Sequence, residues 1–146
     1  MKNIFIINGP NLNLLGKREP EIYGGETLDE INQKIVHLAI ELGVQCRFMQ
    51  SNSEGELICY IHKAINEADA IIINPAGYTH TSIALLDALK AAPIPKVEVH
   101  LSNIHSREDF RKVSITAAGC TGSISGLGAD GYLLALRYIA DKIRGK

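Results

Sequence analysis

A chain of 146 residues with 46% apolar content and a formal net charge of −1 is the size of one compact domain with a real core, so residues 1–146 read as a single unit. Both signs of charge are spread along the chain, which offers no general attraction to nucleic acid or anionic lipid, and no window approaches the ~20 apolar residues of a membrane span. A soluble, cytoplasmic protein without a nucleic-acid or membrane partner is expected.

"NIFIIN" (residues 3–8) is a short β-branched run closed by a polar residue and Gly, the pattern of a strand buried in a parallel sheet. From Gly9 to Glu26 no clear secondary structure follows, and so long a connection in a compact domain reads as functional; Leu12, Leu14 and Leu15 are expected to pack it down as a lid. Leu28, Ile31, Ile35, Leu38 and Leu42 have helical spacing, with a Thr27/Glu30 capping box before them and Gly43 as a stop. "VQCRFMQ" is a second strand, and Leu57, Ile58, Ile61, Ile65 and Ala68 mark a second helix. "DAIIIN" (69–74) is a third strand, followed by a helix from about Thr81 to Ala91 that ends before Pro93. "KVEVHL" (96–101) is a fourth strand, "GSISG" a weak fifth, and Tyr132, Leu133, Leu136, Ile139, Ala140 and Ile143 define a closing helix.

Strand-helix alternation throughout predicts right-handed crossovers and a flavodoxin-like three-layer α/β/α sandwich around a parallel sheet. Ligands of such sheets bind beyond the carboxyl ends of the strands, where Asn8, Ser51, Asn52, Asn74, His100 and Ser102 are expected to collect on one rim. The fourth strand is unusual. Period-two alternation puts Val97, Val99 and Leu101 on one face and Glu98 and His100 on the other, so this is either an edge strand with one wet face or a strand whose polar face belongs to a site.

Cys46, Cys59 and Cys120 are odd in number and lack any CxxC pairing, and they read as reduced, buried thiols. Cys59 and His62 have i, i+3 spacing but no second ligand pair, so no metal site is expected. "GLGADG" spells GxGxxG but lies at the end of the chain, without an acidic residue ~20 positions on, and reads as a tight strand-helix turn rather than a dinucleotide site. A non-catalytic flavodoxin-like module competes with an enzyme. A phosphoreceiver would need aspartates where Asn8 and Asn74 stand, and an FMN carrier a Ser/Thr/Gly-rich loop where Asn and Leu dominate.

Four stretches, "GPNLNLLGKREPEIYG", "SNSEGELI", "INPAGYTHTSIALLDAL" and "VEVHLSNIHSREDFR", together with the ending "GLGADGYLLAL", resemble the type II 3-dehydroquinate dehydratase family in order and over nearly the whole chain. The resemblance implies cofactor-free and metal-free elimination of water from 3-dehydroquinate to give 3-dehydroshikimate through an enolate, in the shikimate pathway or in quinate catabolism. It implies Tyr23 as the base acting as a tyrosinate, Arg18 as the transition-state-stabilising arginine, His100 as the general acid, and Asn11 as the residue positioning a water or the enolate oxygen. Ionising a free tyrosine at neutral pH costs roughly 4 kcal/mol, and a neighbouring guanidinium can supply much of this. Glu98, on the same strand face, can hold one ring nitrogen of His100; by itself a Glu-x-His pair is more often a surface feature. Asn74, His80, Leu101, Ser102 and Arg111 are implied to bind substrate, the bland alternatives being a helix-cap neighbour for His80 and an ion pair with Glu108 for Arg111. Arg107 stands outside this set, because "SREDFR" also reads as a short helix with Ser106 as cap and Asp109 as box partner. Asp87 is implied to reach the site of an adjacent subunit, within a homotrimer that assembles to a dodecamer.

Overall fold

Ile4, Phe5, Ile6, Ile7 and Asn8 are all buried in β1 (Asn3–Asn8), because a strand covered on both faces has no side left for water. The structure, a computed structural model, describes residues 1–144. β1 is joined by β2 (Gln45–Gln50), β3 (Ala70–Asn74), β4 (Lys96–His100) and β5 (Gly122–Ser125) in a five-stranded parallel sheet of order β2-β1-β3-β4-β5. This is the flavodoxin-like order, with its switch point between β1 and β3.

The lid between β1 and the next long helix is not featureless. It contains a 3-10 turn at Leu12–Leu14 and a one-turn helix α1 (Pro20–Tyr23), started by a proline whose missing N–H costs a first turn nothing. Leu12 and Leu15 are buried, whereas Leu14 is exposed, so only two of its three leucines anchor it. Gly9 lets the lid leave: a Cβ there would lie 2.5 Å from the Pro75 carbonyl oxygen.

α2 (Leu28–Leu42) has the expected Thr27/Glu30 capping box and ends at Gly43 with φ of 71°. With α5 (Asp130–Arg144) it covers one sheet face through Ile31, Ile35, Tyr132 and Leu136 against Ile4, Ile6, Ile72 and Val99. α3 (Glu54–Glu67) and α4 (Ile83–Ala91) cover the other through Leu57, Ile61, Leu85 and Leu89 against Phe5, Ile7, Ile71 and Ile73. α4 starts two residues later than Thr81: Ser82 caps it by accepting from Leu85 N–H at 2.9 Å, and a 3-10 turn (Ala76–His80) precedes it.

β4 lies inside the sheet, so the edge-strand alternative for Glu98 and His100 is excluded; they are 0% and 6% exposed. The GxGxxG segment is a tight turn into α5, with Gly126 at φ of 89° and its Cα facing Asn103 so closely that a Cβ would meet the Asn103 Cβ at 3.0 Å. Cys59 is exposed rather than buried, since it sits on the outer face of α3 between the inward residues Leu57 and Ile61. Cys46 and Cys120 are more enclosed, and burial pushes both thiols up to about 12. Among the described residues no helix is long and apolar enough to cross a membrane.

Candidate active site

A cavity of about 130 Å³ opens beyond the carboxyl ends of β1, β3 and β4, walled by residues that directly follow those strands. Ligands are expected at this end of an open α/β sheet, next to the switch point. Asn11, Arg18, Tyr23, Asn74, His80, His100, Leu101, Ser102 and Arg111 all line it, so one cavity unites nine residues from separate stretches of the chain. Of the other strand-closing polar residues, Asn8, Ser51 and Asn52 do not line it; Asn8 reaches Asn74 through the Tyr132 hydroxyl, and Asn52 holds Asn11.

The lid brings in Tyr23 and Arg18. Closing α1 after Pro20 turns Tyr23 back toward Arg18, whose Nη2 donates to the phenol oxygen at 3.3 Å and whose guanidinium lies 4.5 Å from the ring centroid. Arg107 also faces that ring, 5.1 Å from its centroid, and donates to Ser102 Oγ at 3.4 Å. The Ser106/Asp109 capping box does not form. Asn103 caps the turn Ile104–Ser106 by accepting from His105 N–H at 3.1 Å, and the next turn, Asp109–Arg111, has no side-chain cap. Arg107 falls between the two turns and lines the cavity.

Opposite the lid, His100 Nε2 and Glu98 Oε2 are 2.8 Å apart, and Nε2 is 3.5 Å from Thr79 Oγ1. With Nε2–H donating to the carboxylate, Nδ1 is the nitrogen left for chemistry in the cavity. Burial by itself raises the Glu98 pKa; the hydrogen bond and charge of His100 and the hydroxyls of Ser114 and Thr116 outweigh it and hold the carboxyl below its ordinary range. Glu98 therefore forms the second layer of the wall, behind His100.

His80 Nδ1–H donates to the Val113 carbonyl at 2.9 Å, which leaves Nε2 for a ligand. Arg111 donates from Nε to Glu108 Oε2 at 3.0 Å, the expected ion pair, and also lines the cavity. Asn74 donates to the Tyr132 hydroxyl at 3.1 Å and accepts from Ala76 N–H at 3.0 Å, and Tyr132 donates in turn to Asn8 Oδ1 at 2.6 Å. Asn11 and Ala76 line the cavity at φ of 69° and 55°. Strained backbone of this kind persists where the surroundings hold it, as Asn52 Oδ1 does by accepting from Asn11 N–H at 3.0 Å. Glu98 stands behind the cavity wall, and Asp87 stands away from it. The aspartate lies on the exposed face of α4 and does not line this cavity.

Sequence reasoning missed four supports of the site: Thr79, Ser114, Thr116 and the hydroxyl of Tyr132. Tyr132 has core spacing on α5, and nothing local marks its hydroxyl as a partner for two asparagines. Among the described residues no group of three or more His, Cys, Asp or Glu is gathered as metal ligands would be.

A family model for Dehydroquinase class II matches residues 2–140. The chain belongs to this family. It is 60% identical to a 3-dehydroquinate dehydratase of Pelotomaculum thermopropionicum over 94% of this chain and 95% of that protein. It is 52% identical to a 3-dehydroquinate dehydratase of Caldanaerobacter subterraneus subsp. tengcongensis over 99% of this chain and 100% of that one. The crystal structure of the type II dehydroquinase from Propionibacterium acnes superposes with a TM-score of 0.94 at 43% identity, covering 97% of each chain. The matched residues 2–140 include every strand end that walls the cavity.

Proposed function

We propose that this chain is a 3-dehydroquinate dehydratase that eliminates water from 3-dehydroquinate to give 3-dehydroshikimate without metal or cofactor, and that it serves the shikimate pathway or quinate breakdown from the cytoplasm. The observation that carries the reading is a phenol flanked by two guanidinium groups, Arg18 and Arg107, facing a Glu98-backed imidazole across one small cavity.

Tyr23, as the tyrosinate, takes a proton from C2, beside the C3 ketone, and the electron pair moves onto the ketone oxygen as an enolate. Fixed positive charge at Arg18 and Arg107 attracts negative charge first on the phenolate and then on the substrate. Asn11 positions the water or donor that meets the enolate oxygen. When the enolate collapses, the C1 hydroxyl departs as water with the proton that His100 Nδ1 supplies, and a double bond conjugated with the ketone remains. Leu101 and Ser102 offer a backbone N–H and a hydroxyl to the substrate carboxylate, where Arg107 already contacts Ser102. Asn74, His80 and Arg111 take the ring hydroxyls. A cavity of about 130 Å³ has room for a small six-membered ring with several polar groups.

Asp87 acts in trans in this reading, completing the cavity of a neighbouring copy within a homotrimer that builds a dodecamer. Ile83, one turn before it on α4, is 63% exposed, and Phe110 and Val113 near the cavity mouth are 66% and 70% exposed, an apolar set suited to a second copy. Ultraviolet detection of the enone product tests the activity, and Tyr23→Phe tests the assignment. It leaves the cavity's shape, so kcat should fall by about 10²-fold or more while affinity for an unreactive substrate analogue changes little. A Tyr23→Phe enzyme with wild-type kcat places the base elsewhere.

A further inference from the structure

Directly after Arg111 the chain runs without a regular element to the 3-10 turn Thr116–Gly119, yet each residue of its last stretch grips the cavity wall. The Val113 carbonyl accepts from His80 at 2.9 Å, and Ile115 N–H donates to the Thr79 carbonyl at 2.8 Å. Ser114 Oγ donates to Glu98 Oε2 at 2.6 Å, and Thr116 Oγ1 donates to Glu98 Oε1. Ala117 N–H donates to Ser114 Oγ at 3.0 Å, and because the ionised carboxylate can only accept, the serine hydrogen goes to Glu98. Thr116 and Glu98 are both 0% exposed, so water cannot substitute for either hydroxyl without rearrangement.

We propose that Ser114 and Thr116 are positioning residues for the dehydration, clamping both oxygens of Glu98 so that the carboxylate fixes His100 Nε2 and aims Nδ1 at the departing hydroxyl. The proposal rests on His100 being the acid. Its physical basis is that a carboxylate held by one partner can turn about its last torsion, whereas one held through Oε1 by Thr116 and through Oε2 by Ser114 and His100 cannot. The titratable groups facing Glu98 are His100 on its own strand and Cys120 at the end of the Thr116–Gly119 turn; Lys96 lies beyond the thiol and donates to the Ile94 carbonyl at 3.1 Å. The Cys120 thiol, pushed up to about 12, is neutral near pH 7. Apart from His100, the two hydroxyls are the groups that stabilise the buried charge.

Thr116→Val and Ser114→Ala remove one hydroxyl each with little change of shape. We expect kcat to fall roughly tenfold or more with KM within about twofold, because orientation of the acid is lost and substrate contacts are not. A carboxylate deprived of a donor turns more of its charge on His100 and keeps the imidazolium protonated to higher pH, so the alkaline limb of the kcat–pH profile, which His100 sets as the acid, should move up, while the acid limb, which Tyr23 sets as the base, should stay in place. Exchange of the substrate's C2 hydrogen with deuterated solvent should decline less than dehydration, and Thr116→Ser should restore kcat and the alkaline limb. If Thr116→Val does not fold, Ser114→Ala, at a half-buried position, carries the same test. Kinetics within twofold of wild type and an unmoved alkaline limb in the soluble variants would overturn the proposal, as would a loss that appears equally in KM and leaves that limb in place. His100→Ala in the same assays separates the two levels: if it retains wild-type kcat, the acid has been misassigned, and if it alone is impaired, only the clamp is wrong.

Discussion

Tyr132→Phe removes one oxygen atom from the middle of the molecule and should cost stability and substrate recognition together. The hydroxyl joins three elements, donating to Asn8 Oδ1 at the end of β1 and accepting from Asn74 Nδ2 at the end of β3, while its ring is fully buried on α5. Burial pushes the phenol well above its ordinary pKa, so it is neutral and has one hydrogen to give. Phenylalanine leaves an acceptor and a donor unpaired in the core, each worth about 1–3 kcal/mol, and Asn8 Nδ2 is already buried without a partner. Allowing for partial relaxation, the loss is about 2–4 kcal/mol. For a chain of this size that lowers the thermal midpoint by roughly 5–15 °C, measured at one fixed protein concentration because assembly would also shift it. Asn74 then keeps only its bond to Ala76 and can turn within the cavity wall, so KM should rise. Tyr60→Phe is the control: its hydroxyl donates to Glu56 at 3.0 Å at the surface, and its loss should stay within about 0.5 kcal/mol. A Tyr132→Phe midpoint no different from that of Tyr60→Phe, with unchanged KM, would show that the strand-end network does not hold Asn74.

Arg18→Ala removes a unit charge 3.3 Å from the Tyr23 oxygen, worth about 1–5 kcal/mol between the dielectric of water and that of a protein surface, so kcat at neutral pH should fall by about 5-fold to several thousandfold. Raising the pH should recover part of that rate by ionising the phenol without help, and a variant equally slow at every pH would refute the charge argument. Glu98 is held below its ordinary range in the folded state, so its contribution is fully present above the unfolded value of about 4.3 and is lost as pH falls through the folded one. Glu98→Gln should therefore be less stable at neutral pH and show a flatter acid limb in urea titrations; an identical limb would mean that Glu98 does not titrate between the two states. Chelators should leave turnover unchanged, and borohydride added with substrate should trap nothing, because among the described residues no lysine lines the cavity; substrate fixed to Lys17 or another lysine would contradict the cofactor-free route.

The strands and helices were legible in the sequence because each rests on local signals. β1 and β3 are unbroken β-branched runs, α2 carries its own capping box, and Gly43 stops it. Period-two alternation alone put Glu98 and His100 on one face of β4, and the motif resemblance selected the lid residues Arg18 and Tyr23. Local signals were weaker where segments are short. The Ser106/Asp109 box looked plausible, yet Asn103 made the cap, and Cys59 sits outside although its neighbours on α3 point inward. Only the tertiary structure decided that β4 is interior, since strand order depends on which crossovers pack and not on any one segment. It also decided which polar groups meet across long separations: Tyr132 with Asn8, Ser114 and Thr116 with Glu98, and Arg107 with Tyr23. A hydroxyl or guanidinium carries no mark in the chain of the partner it will find, because that partner is fixed only when burial removes water and leaves each polar group to be satisfied by whatever the fold has brought beside it.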